Sequence, residues 1–274
     1  MTNSVHAKLE KLQHSLKDLG NIAVAFSSGV DSTFLLAVAH QMLAERTFAI
    51  TARSGLFPAH EMNEALEFTA VKGIRHITCE IDELAVEGFA ENPENRCYLC
   101  KRSLFSLFRE IANAEGILCL VEGSNVDDDS DYRPGMQAIR ELGVLSPLRE
   151  AGLTKTEIRQ LSRELGLTIW DKPSFACLAS RIPYGETITR EKLKSVEISE
   201  QLLFELGFKQ ARVRHHGNLA RVEVNTDEME KLMSSAIRKI ICSEIKLAGF
   251  TYVTLDLQGY RTGSMNETIP YLST

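Results

Sequence analysis

The sequence predicts an α/β protein in which a parallel twisted sheet carries helices on both faces and a smaller C-terminal α+β domain follows. Three observations support this. Short apolar runs alternate with amphipathic segments up to about residue 122. A loop of small polar residues joins the first apolar run to the first amphipathic one, as at phosphate-binding turns. From about residue 189 the pattern changes to a helix, two short strands, a second helix and a last strand. We place the domains at 1–186 and 187–274.

The elements of the first domain follow from apolar periodicity. Thr154 and Glu157 have the spacing of a capping box, and Gly166 is a typical helix stop. Residues 170–184 show no clear period and are predicted to be a loop. Strands are predicted over 22–26, 47–52, 74–79 and 117–122, and helices over about 34–43, 61–71, 97–114 and 154–166.

The second domain is predicted from the same signals. Residues in alternating patterns indicate short strands, and longer segments with helical spacing indicate helices. The prediction is a helix from about 189, strands over 210–215 and 219–224, a helix over 227–248 and a strand over 252–257.

The composition is that of a globular protein. The 274 residues are 44% hydrophobic and 25% charged, which suits one large or two small domains. No apolar run approaches the roughly 18 residues of a membrane span, and the first residues lack the apolar stretch of a signal peptide. We therefore expect a cytoplasmic protein without a membrane partner.

The net charge of −6 gives no general attraction to nucleic acid, so nucleic acid is an unlikely partner.

The loop between the first strand and the first helix is the strongest chemical signal. Its backbone N–H groups, its hydroxyls and the helix N-terminus all favour an anion such as phosphate. A Walker A loop would carry Lys before its last Ser or Thr, but here that position holds Asp31, and a carboxylate favours Mg²⁺. The alternative is an ordinary turn capped by Asp31 or Ser32. The loop consists of Ser27, Ser28, Gly29, Val30, Asp31 and Ser32.

A second loop follows the predicted strand 117–122. The carboxyl ends of parallel strands form the ligand-binding edge of a sheet, so residues 123–129 are expected near the first loop. Asp127, Asp128 and Asp129 are candidate Mg²⁺ ligands. The alternative is a solvated acidic turn.

Three of the six cysteines have apolar surroundings and three do not. Cys79, Cys119 and Cys242 lie in apolar segments and are predicted to be core residues. Cys97 and Cys100 share one face of the first turn of a helix, where the positive end of the helix and nearby cations favour thiolate. This indicates a ligand or redox role, although one CxxC is only half of a zinc site. The alternative is a pair of packed thiols.

The remaining cysteine, Cys177, lies in the structureless segment 170–184. Core packing therefore gives no obvious reason for it, and the neighbouring Arg181 would stabilise its thiolate. We predict a reactive thiol. The alternative is a residue that anchors the loop beside Phe175 and Leu178.

The chain resembles the LarE family of ATP-dependent sulfur transferases, which act in synthesis of the nickel-pincer nucleotide cofactor. The family belongs to the PP-loop ATP pyrophosphatases, which have an adenine nucleotide α-hydrolase-like fold and the loop pattern SGGxDS. Ser28 stands at the second position of that pattern, where the family has Gly. The resemblance covers nearly the whole chain, and its most specific segments are 27–32, 122–125, 173–185, 212–214, 221–224 and 259–264.

The resemblance implies a reaction and its cofactors. The family substrate is pyridinium-3,5-biscarboxylic acid mononucleotide, whose carboxylate is adenylated with ATP and Mg²⁺ and then converted to a thiocarboxylate. The Cys at position 177 carries the transferred sulfur, and members with this Cys alone are consumed when it becomes dehydroalanine. Because Cys97 and Cys100 are also present, the chain is similar to the three-Cys branch, in which a 4Fe-4S cluster accepts sulfide from a sulfur donor. A homo-oligomer is also implied.

The resemblance also assigns residues to ATP and to the substrate. Arg212 and Arg214 share one face of a predicted strand, which suits a phosphate or carboxylate; the alternative is a solvent-facing charged sheet surface. Arg53 or Lys101 would reach the α-phosphate; the alternative for both is an exposed surface cation. The ATP-binding set is Ala25, Ser27, Ser28, Gly29, Val30, Asp31 (with Mg²⁺), Ser32, Ala52, Lys101 and Gly123, and the substrate-binding set is Arg181, Arg212, Arg214 and Arg261.

Two other functions fit parts of the sequence. A PP-loop tRNA thiolase would also combine adenylation with a three-Cys cluster, but the acidic charge balance argues against tRNA. A nucleotide-binding redox sensor would use the thiols without turnover. Release of pyrophosphate from ATP separates such a sensor from both enzymes.

Overall fold

The computed structural model describes residues 2–130, 134–173 and 177–268. By its internal contacts the chain divides into two units. The first consists of Met1–Val86 and Asn95–Phe175, and the second of Glu87–Glu94 and Ala176–Thr274. No helix in the described ranges is both long and apolar enough to cross a membrane.

The first unit is built on a four-stranded sheet in which all strand pairs are parallel. The strand order is β3-β2-β1-β4, so the chain extends the sheet in one direction from β1 and then returns to the other side of β1. The point between β1 and β4 is therefore a topological switch point, where ligands bind in open α/β sheets. The strands are β1 (Ile22–Ala25), β2 (Thr47–Ser54), β3 (Arg75–Ile81) and β4 (Cys119–Val121).

Helices cover both faces of this sheet, as predicted. Phe34, Leu35 and Ile158 belong to the apolar cluster on one face, and Phe105 and Ile139 to the cluster on the other. The helices are α1 (Thr2–Leu19), α2 (Val30–Leu43), α3 (Ala59–Lys72), α4 (Arg96–Ala114), α5 (Gly135–Glu141), α6 (Pro147–Glu150) and α7 (Lys155–Glu164).

Several local predictions for this unit are confirmed. The Thr154 hydroxyl accepts the N–H of Glu157, and the Glu157 carboxylate accepts the N–H of Thr154, which completes the capping box of α7. Cys79 and Cys119 pack against the apolar clusters. Helices α1, α5 and α6 have no counterpart in the sequence predictions.

The second unit contains a three-stranded mixed sheet of order β5-β6-β7. Strands β5 and β6 are antiparallel, whereas β6 and β7 are parallel. The predicted helix 227–248 is wrong as one element, because Ser234 has extended dihedral angles (φ −56°, ψ 141°) that separate two helices. The elements are α8 (Arg190–Glu205), β5 (Ala211–His216), β6 (Leu219–Val224), α9 (Met229–Met233), α10 (Ser235–Leu247) and β7 (Tyr252–Leu255).

Residues 87–94 join the second unit through backbone and side-chain hydrogen bonds. The carbonyl of Asn92 accepts the N–H of Gly185 at 2.9 Å, and the Asn92 amide donates to the carbonyl of Pro183 at 2.7 Å. The N–H of Ile188 donates to the carbonyl of Ala90 at 2.8 Å. These bonds hold the chain that follows Cys177 in a defined path.

Candidate active site

The predicted nucleotide loop, residues 27–32, lies at the switch point of the first sheet. It leaves the carboxyl end of β1 and enters α2, whose N-cap residue is Gly29. The first N–H groups of an α-helix have no partner within the helix and carry a partial positive charge. Because Gly29 has no side chain to cap them, the turn offers these N–H groups to an anion.

Gly123 brings the end of β4 against this loop. A Cβ atom at position 123 would lie 2.9 Å from the backbone nitrogen of Ser32 and 3.1 Å from its Cα. Such distances are shorter than van der Waals contact, so only glycine permits the observed approach. The strand end that the sequence placed near the nucleotide loop therefore contacts its backbone directly.

Replacement of Gly123 by alanine is expected to displace the first turn of α2 and to weaken ATP binding by about tenfold, or roughly 1.4 kcal/mol, because overpacking costs energy of this order. Titration calorimetry with ATP measures the effect. Gly55 is the matched control, since a Cβ there meets nothing within 4 Å. Equal ATP affinity in the Gly123→Ala and Gly55→Ala proteins would contradict the packing argument.

The serine hydroxyls of the loop form a connected group. The hydroxyls of Ser27 and Ser32 are 3.0 Å apart, and the hydroxyl of Ser32 also accepts the N–H of Ser27 at 3.3 Å. Both are therefore available beside the N-terminus of α2, where hydroxyls contact phosphate. Ala25 and Ala52, the predicted nucleoside contacts, are half-buried residues of β1 and β2.

Ser28 shows how the loop accommodates a serine where the family pattern has glycine. Its φ of 53° is one that glycine adopts readily. The buried hydroxyl lies 2.7 Å from Oε2 of Glu61, so it points away from the anion-binding turn. Nζ of Lys172 lies 2.7 Å from the same oxygen, 2.5 Å from Oε2 of Glu64 and 3.2 Å from the carbonyl of Ser28. Glu61 and Lys172 therefore hold the loop at the hydroxyl and the carbonyl of Ser28.

These contacts also give Glu61 an unusual acidity. Burial opposes ionisation, but hydrogen bonds from His60, Lys172 and Ser28 outweigh it and lower the pKa of Glu61 to about 2. A carboxylate whose pKa is lower in the folded state stabilises the fold above its ordinary pKa of about 4.3. This contribution is lost as the pH falls from there toward 2.

The melting temperature of the wild-type protein is therefore expected to fall toward that of Glu61→Gln as the pH decreases from about 5 to about 2.5, because the lost contribution is the one that the variant lacks. Thermal melts over this range measure the difference. Glu67→Gln, at an exposed position of the same helix, is the control. A difference between wild type and Glu61→Gln that stays constant with pH would contradict this account.

Asp31, the predicted Mg²⁺ ligand, presents one oxygen to a cation. Its Oδ2 lies 2.5 Å from Nζ of Lys155, whereas its Oδ1 is buried and has no hydrogen-bond partner in the described part of the chain. Burial raises the pKa of Asp31 more than Lys155 lowers it. A buried oxygen without a partner calls for an explanation, and an oxygen ligand for Mg²⁺ is one.

The acidic loop 127–129 forms a turn. The N–H of Asp127 donates to Oδ1 of Asn125 at 2.9 Å, and Oδ2 of Asp128 accepts the N–H of Asn125 at 2.9 Å. Oδ2 of Asp127 accepts the N–H of Lys155 at 2.8 Å. These bonds favour the turn over a metal site for Asp127 and Asp128, and the side chain of Asp129 lies outside the described residues.

Cys97, Cys100 and Lys101 lie in the first turns of α4. Cys97 is exposed and Cys100 is partly exposed. Lys101 packs its side chain beside Gly135, where a Cβ would lie 2.6 Å from its Cδ. Among the residues that the structure describes, no three His, Cys, Asp or Glu side chains are grouped as a metal site.

The second unit contains a buried layer of charged residues. Arg212 and Glu223 lie on the opposite face of the sheet from the apolar residues Val213 and Val222. Arg212 is nevertheless only 2% exposed and Glu223 is fully buried. The alternative of a solvent-facing charged sheet surface is therefore wrong. We call this group the arginine layer, and it consists of Arg181, Arg212, Arg214, Arg221, Glu200 and Glu223.

Two segments cover the arginine layer. Nη1 of Arg214 lies 3.3 Å from the carbonyl of Ser180, and its Nη2 lies 3.1 Å from Oγ of Ser264. The guanidinium of Arg212 lies over the ring of Tyr260, 5.3 Å from its centre. The layer is thus enclosed by the segment that follows Cys177 and by the C-terminal segment that contains the motif 259–264.

The charges within the layer are unevenly compensated. Nη2 of Arg214 donates to Oε2 of Glu223 at 2.8 Å, but its buried Nε has no hydrogen-bond partner in the described ranges. The pKa of Arg212 is lowered to about 10, first by burial and then by repulsion from Arg181, which Glu200 offsets only in part. A bound anion would relieve this repulsion.

Arg181 is completely buried and bonded to neighbouring groups. It forms a bidentate ion pair with Glu200, with both N–O distances 2.8 Å. Burial lowers the pKa of Arg181, but the Glu200 carboxylate outweighs this and raises it. Its Nη1 donates to the carbonyl of Cys177 at 3.0 Å. Arg181 therefore positions the backbone of Cys177, a role that the sequence did not indicate.

Cys177 and Arg261 are the more accessible members of this site. Cys177 is partly exposed at the N-terminal end of the 3₁₀ helix Leu178–Arg181. Arg261 is partly exposed, and its guanidinium lies 3.1 Å from Glu267 and 3.5 Å from Asp256. Burial lowers the pKa of Arg261, but Glu267 and Asp256 together outweigh this and raise it.

Comparison with known proteins identifies the family. No family model matches the chain. Over 263 residues the chain is 36% identical to pyridinium-3,5-bisthiocarboxylic acid mononucleotide synthase of Lactiplantibacillus plantarum, and the match covers 96% of this chain and 95% of that protein. The chain belongs to the LarE family of ATP-dependent sulfur transferases. The resemblance proposed from the sequence motifs is therefore confirmed, as is the prediction of an enzyme.

Other relatives extend this comparison. The chain is 41% identical over 265 residues to an uncharacterized protein of Synechocystis, and the match covers 97% of this chain and 99% of that protein. One of the subunits of the glutamine-hydrolysing GMP synthase of Archaeoglobus fulgidus is 26% identical over 215 residues, which cover 73% of this chain and 69% of that subunit. The LarE family thus shares the PP-loop fold with a second group of ATP-dependent enzymes.

Proposed function

We propose that the protein adenylates a carboxylate of pyridinium-3,5-biscarboxylic acid mononucleotide and converts it to a thiocarboxylate, in synthesis of the nickel-pincer nucleotide cofactor. The observation that carries the ATP-dependent step is the unpartnered, buried Oδ1 of Asp31 beside an anion-binding turn. The name of the Lactiplantibacillus plantarum relative supports the substrate class.

The first step activates the carboxylate. One oxygen of the substrate carboxylate attacks the α-phosphorus of ATP, the bond between the α-phosphorus and the bridging oxygen breaks, and pyrophosphate leaves with the electron pair. The N–H groups of residues 28–32 and the hydroxyls of Ser27 and Ser32 would hold the pyrophosphate. Mg²⁺ would neutralise phosphate charge, and Oδ1 of Asp31 would hold it. Ala25, Ala52, Lys101 and Gly123 complete the proposed ATP site.

The second step transfers sulfur. A hydrosulfide sulfur attacks the carbonyl carbon of the acyl adenylate, the bond between this carbon and the AMP oxygen breaks, and AMP leaves with the electron pair as the thiocarboxylate forms and loses its proton. Arg181 holds the backbone of Cys177, and its cation favours a thiolate there. Cys177 is therefore a positioned and partly exposed residue, as a ligand of the sulfur-delivering group would need to be.

Cys97, Cys100 and Cys177 would together hold a 4Fe-4S cluster in this proposal. The exposure of Cys97 and the i, i+3 spacing of the two thiols on the first turn of α4 fit two of its ligands. When bound, such a cluster supplies an open iron site for sulfide from an external donor. The side-chain sulfur of Cys177 is then retained.

The arginine layer is the proposed site for the anionic groups of the mononucleotide. The unpartnered Nε of Arg214 and the lowered pKa of Arg212 support an anion at this place, because both would be compensated by a phosphate or carboxylate. Arg261 is the proposed outer contact. Arg181, predicted from the resemblance to bind substrate, is completely buried and paired with Glu200, so we propose that it acts as a positioning residue instead. We propose that the active form is a homo-oligomer.

The test is release of pyrophosphate from ATP and Mg²⁺ in the presence of different acceptors. With pyridinium-3,5-biscarboxylic acid mononucleotide and with sulfide supplied, we expect pyrophosphate and AMP in equal amounts, and neither with tRNA nor without an acceptor. Release that depends on tRNA would support a tRNA thiolase instead. Binding of ATP without release under all conditions would support a sensor.

A further inference from the structure

We propose that Lys155 is the cation that contacts the pyrophosphate portion of ATP, and that it moves from Asp31 to the phosphates when Mg²⁺ binds Asp31. The inference deepens the proposed function and rests on its ATP-dependent step. It assigns to α7 a role that a lysine inside the loop performs in Walker A proteins.

The position of Lys155 brings its ammonium to the nucleotide loop. Lys155 is the first residue of α7, and its N–H is fixed by Oδ2 of Asp127 at 2.8 Å. Its Nζ lies 2.5 Å from Oδ2 of Asp31, a residue in the first turn of α2. An anion bound at that turn is therefore within a short side-chain rotation of Nζ.

The charges of the loop require such a cation. Residues 27–32 contain no Lys or Arg, while the carboxylate of Asp31 would repel the phosphates. In the described structure Lys155 neutralises this carboxylate. Mg²⁺ at Oδ1 of Asp31 would repel the ammonium of Lys155, whose side chain is only 28% exposed, and would weaken its bond to Oδ2 of the same carboxylate. A phosphate oxygen is the acceptor that ATP would bring to the same place.

The neighbouring cations are held by other groups. Lys172 is bonded to Glu61 and Glu64, neither of which is a proposed metal ligand. Arg159 donates to the carbonyls of Trp170 and Lys172 at 2.7 Å each. Lys155 differs from both because its acceptor is the carboxylate that Mg²⁺ would occupy.

The test compares Lys155→Met with the wild-type protein in two binding measurements. Calorimetry with pyrophosphate should show binding weakened by about tenfold or more, since a charge-assisted hydrogen bond is lost. Electron paramagnetic resonance with Mn²⁺, used in place of Mg²⁺ without nucleotide, should show binding tightened by up to about fivefold, because a competing surface ion pair is removed. A purely structural ion pair would not produce these opposite changes.

Lys8 provides a matched control. Its Nζ lies 2.7 Å from the carboxylate of Glu157 in the same first turn of α7, and its side chain is 32% exposed. Lys8→Met should leave both binding constants unchanged. Lys155→Arg, which keeps the cation, should restore pyrophosphate binding and serves as the informative variant if Lys155→Met does not fold.

The outcomes separate this inference from the function on which it rests. Wild-type affinity for pyrophosphate in Lys155→Met, or Mn²⁺ binding that is unchanged or weaker, would overturn the role of Lys155 while leaving the ATP-dependent function intact. Failure of the wild-type protein to bind either ATP or pyrophosphate would overturn both.

Discussion

Replacement of Cys177 by alanine is expected to abolish thiocarboxylate formation while pyrophosphate release from ATP continues. The groups proposed to act on ATP, which include residues 27–32 and Gly123, belong to the first unit, whereas Cys177 belongs to the second. Arg181 bonds the backbone carbonyl of Cys177, so an alanine keeps this contact. Simultaneous assay of pyrophosphate and thiocarboxylate, with sulfide supplied, measures the two steps separately.

Cys242→Ala is the control for this experiment. Cys242 is a partly exposed cysteine of α10 in the same unit and has no place in the proposed chemistry, so its replacement should leave both steps unchanged. Full sulfur transfer by Cys177→Ala would contradict the role assigned to Cys177. Loss of pyrophosphate release as well would show that this side chain also acts in the first step.

Replacement of Glu200 by alanine is expected to destabilise the protein by about 3–5 kcal/mol, because it leaves the fully buried guanidinium of Arg181 without its carboxylate. Both oxygens of Glu200 bond this guanidinium, and Oε1 also accepts the N–H of Val213 at 3.0 Å. One substitution therefore removes an ion pair and a bond to β5. Urea denaturation followed by fluorescence measures the change.

Glu197 on the same helix provides the comparison. Its carboxylate pairs with Lys194 at 3.2 Å, but the lysine side chain is 66% exposed, and exposed pairs contribute about 0–1 kcal/mol. Glu197→Ala should therefore change the free energy of unfolding only slightly. If Glu200→Ala and Glu197→Ala were equally stable, the buried pair would not hold the arginine layer together.

Apolar periodicity was sufficient to predict the parallel sheet, because the first three residues of β1 and the first five of β2 are buried, and continuous apolar runs are typical of parallel strands. The same signal also marks α1, since Val5, Leu12 and Leu16 are buried at helical spacing, although no prediction was made there. Periodicity failed at Ser234, where a continuous helical pattern runs across a local change of backbone dihedral angles. The spacing of apolar residues indicates which face of a helix is buried, but it does not indicate where the helix is interrupted.

The site was predictable where its residues are adjacent in sequence. Residues 27–32 and Gly123 follow from strand ends and loop composition. The contacts that position these residues could not be predicted in this way. Asp31 and Lys155 are 124 residues apart in the sequence, and Ser28 and Glu61 are 33 residues apart. A sequence pattern contains no signal for contacts of this kind. The burial of Arg212 and Arg214 could not be predicted either. Alternation of side chains along a strand shows which residues share a face of the sheet, but it does not show what covers that face.

The most direct test of the central claim is mass spectrometry of the protein and the product after several turnovers with heavy-isotope-labelled sulfide. The account predicts heavy sulfur in the thiocarboxylate, more than one product per chain, and an unmodified thiol at Cys177. Unlabelled product, one per chain at most, together with loss of H₂S from Cys177, would contradict sulfur delivery through Cys97, Cys100 and Cys177 as cluster ligands.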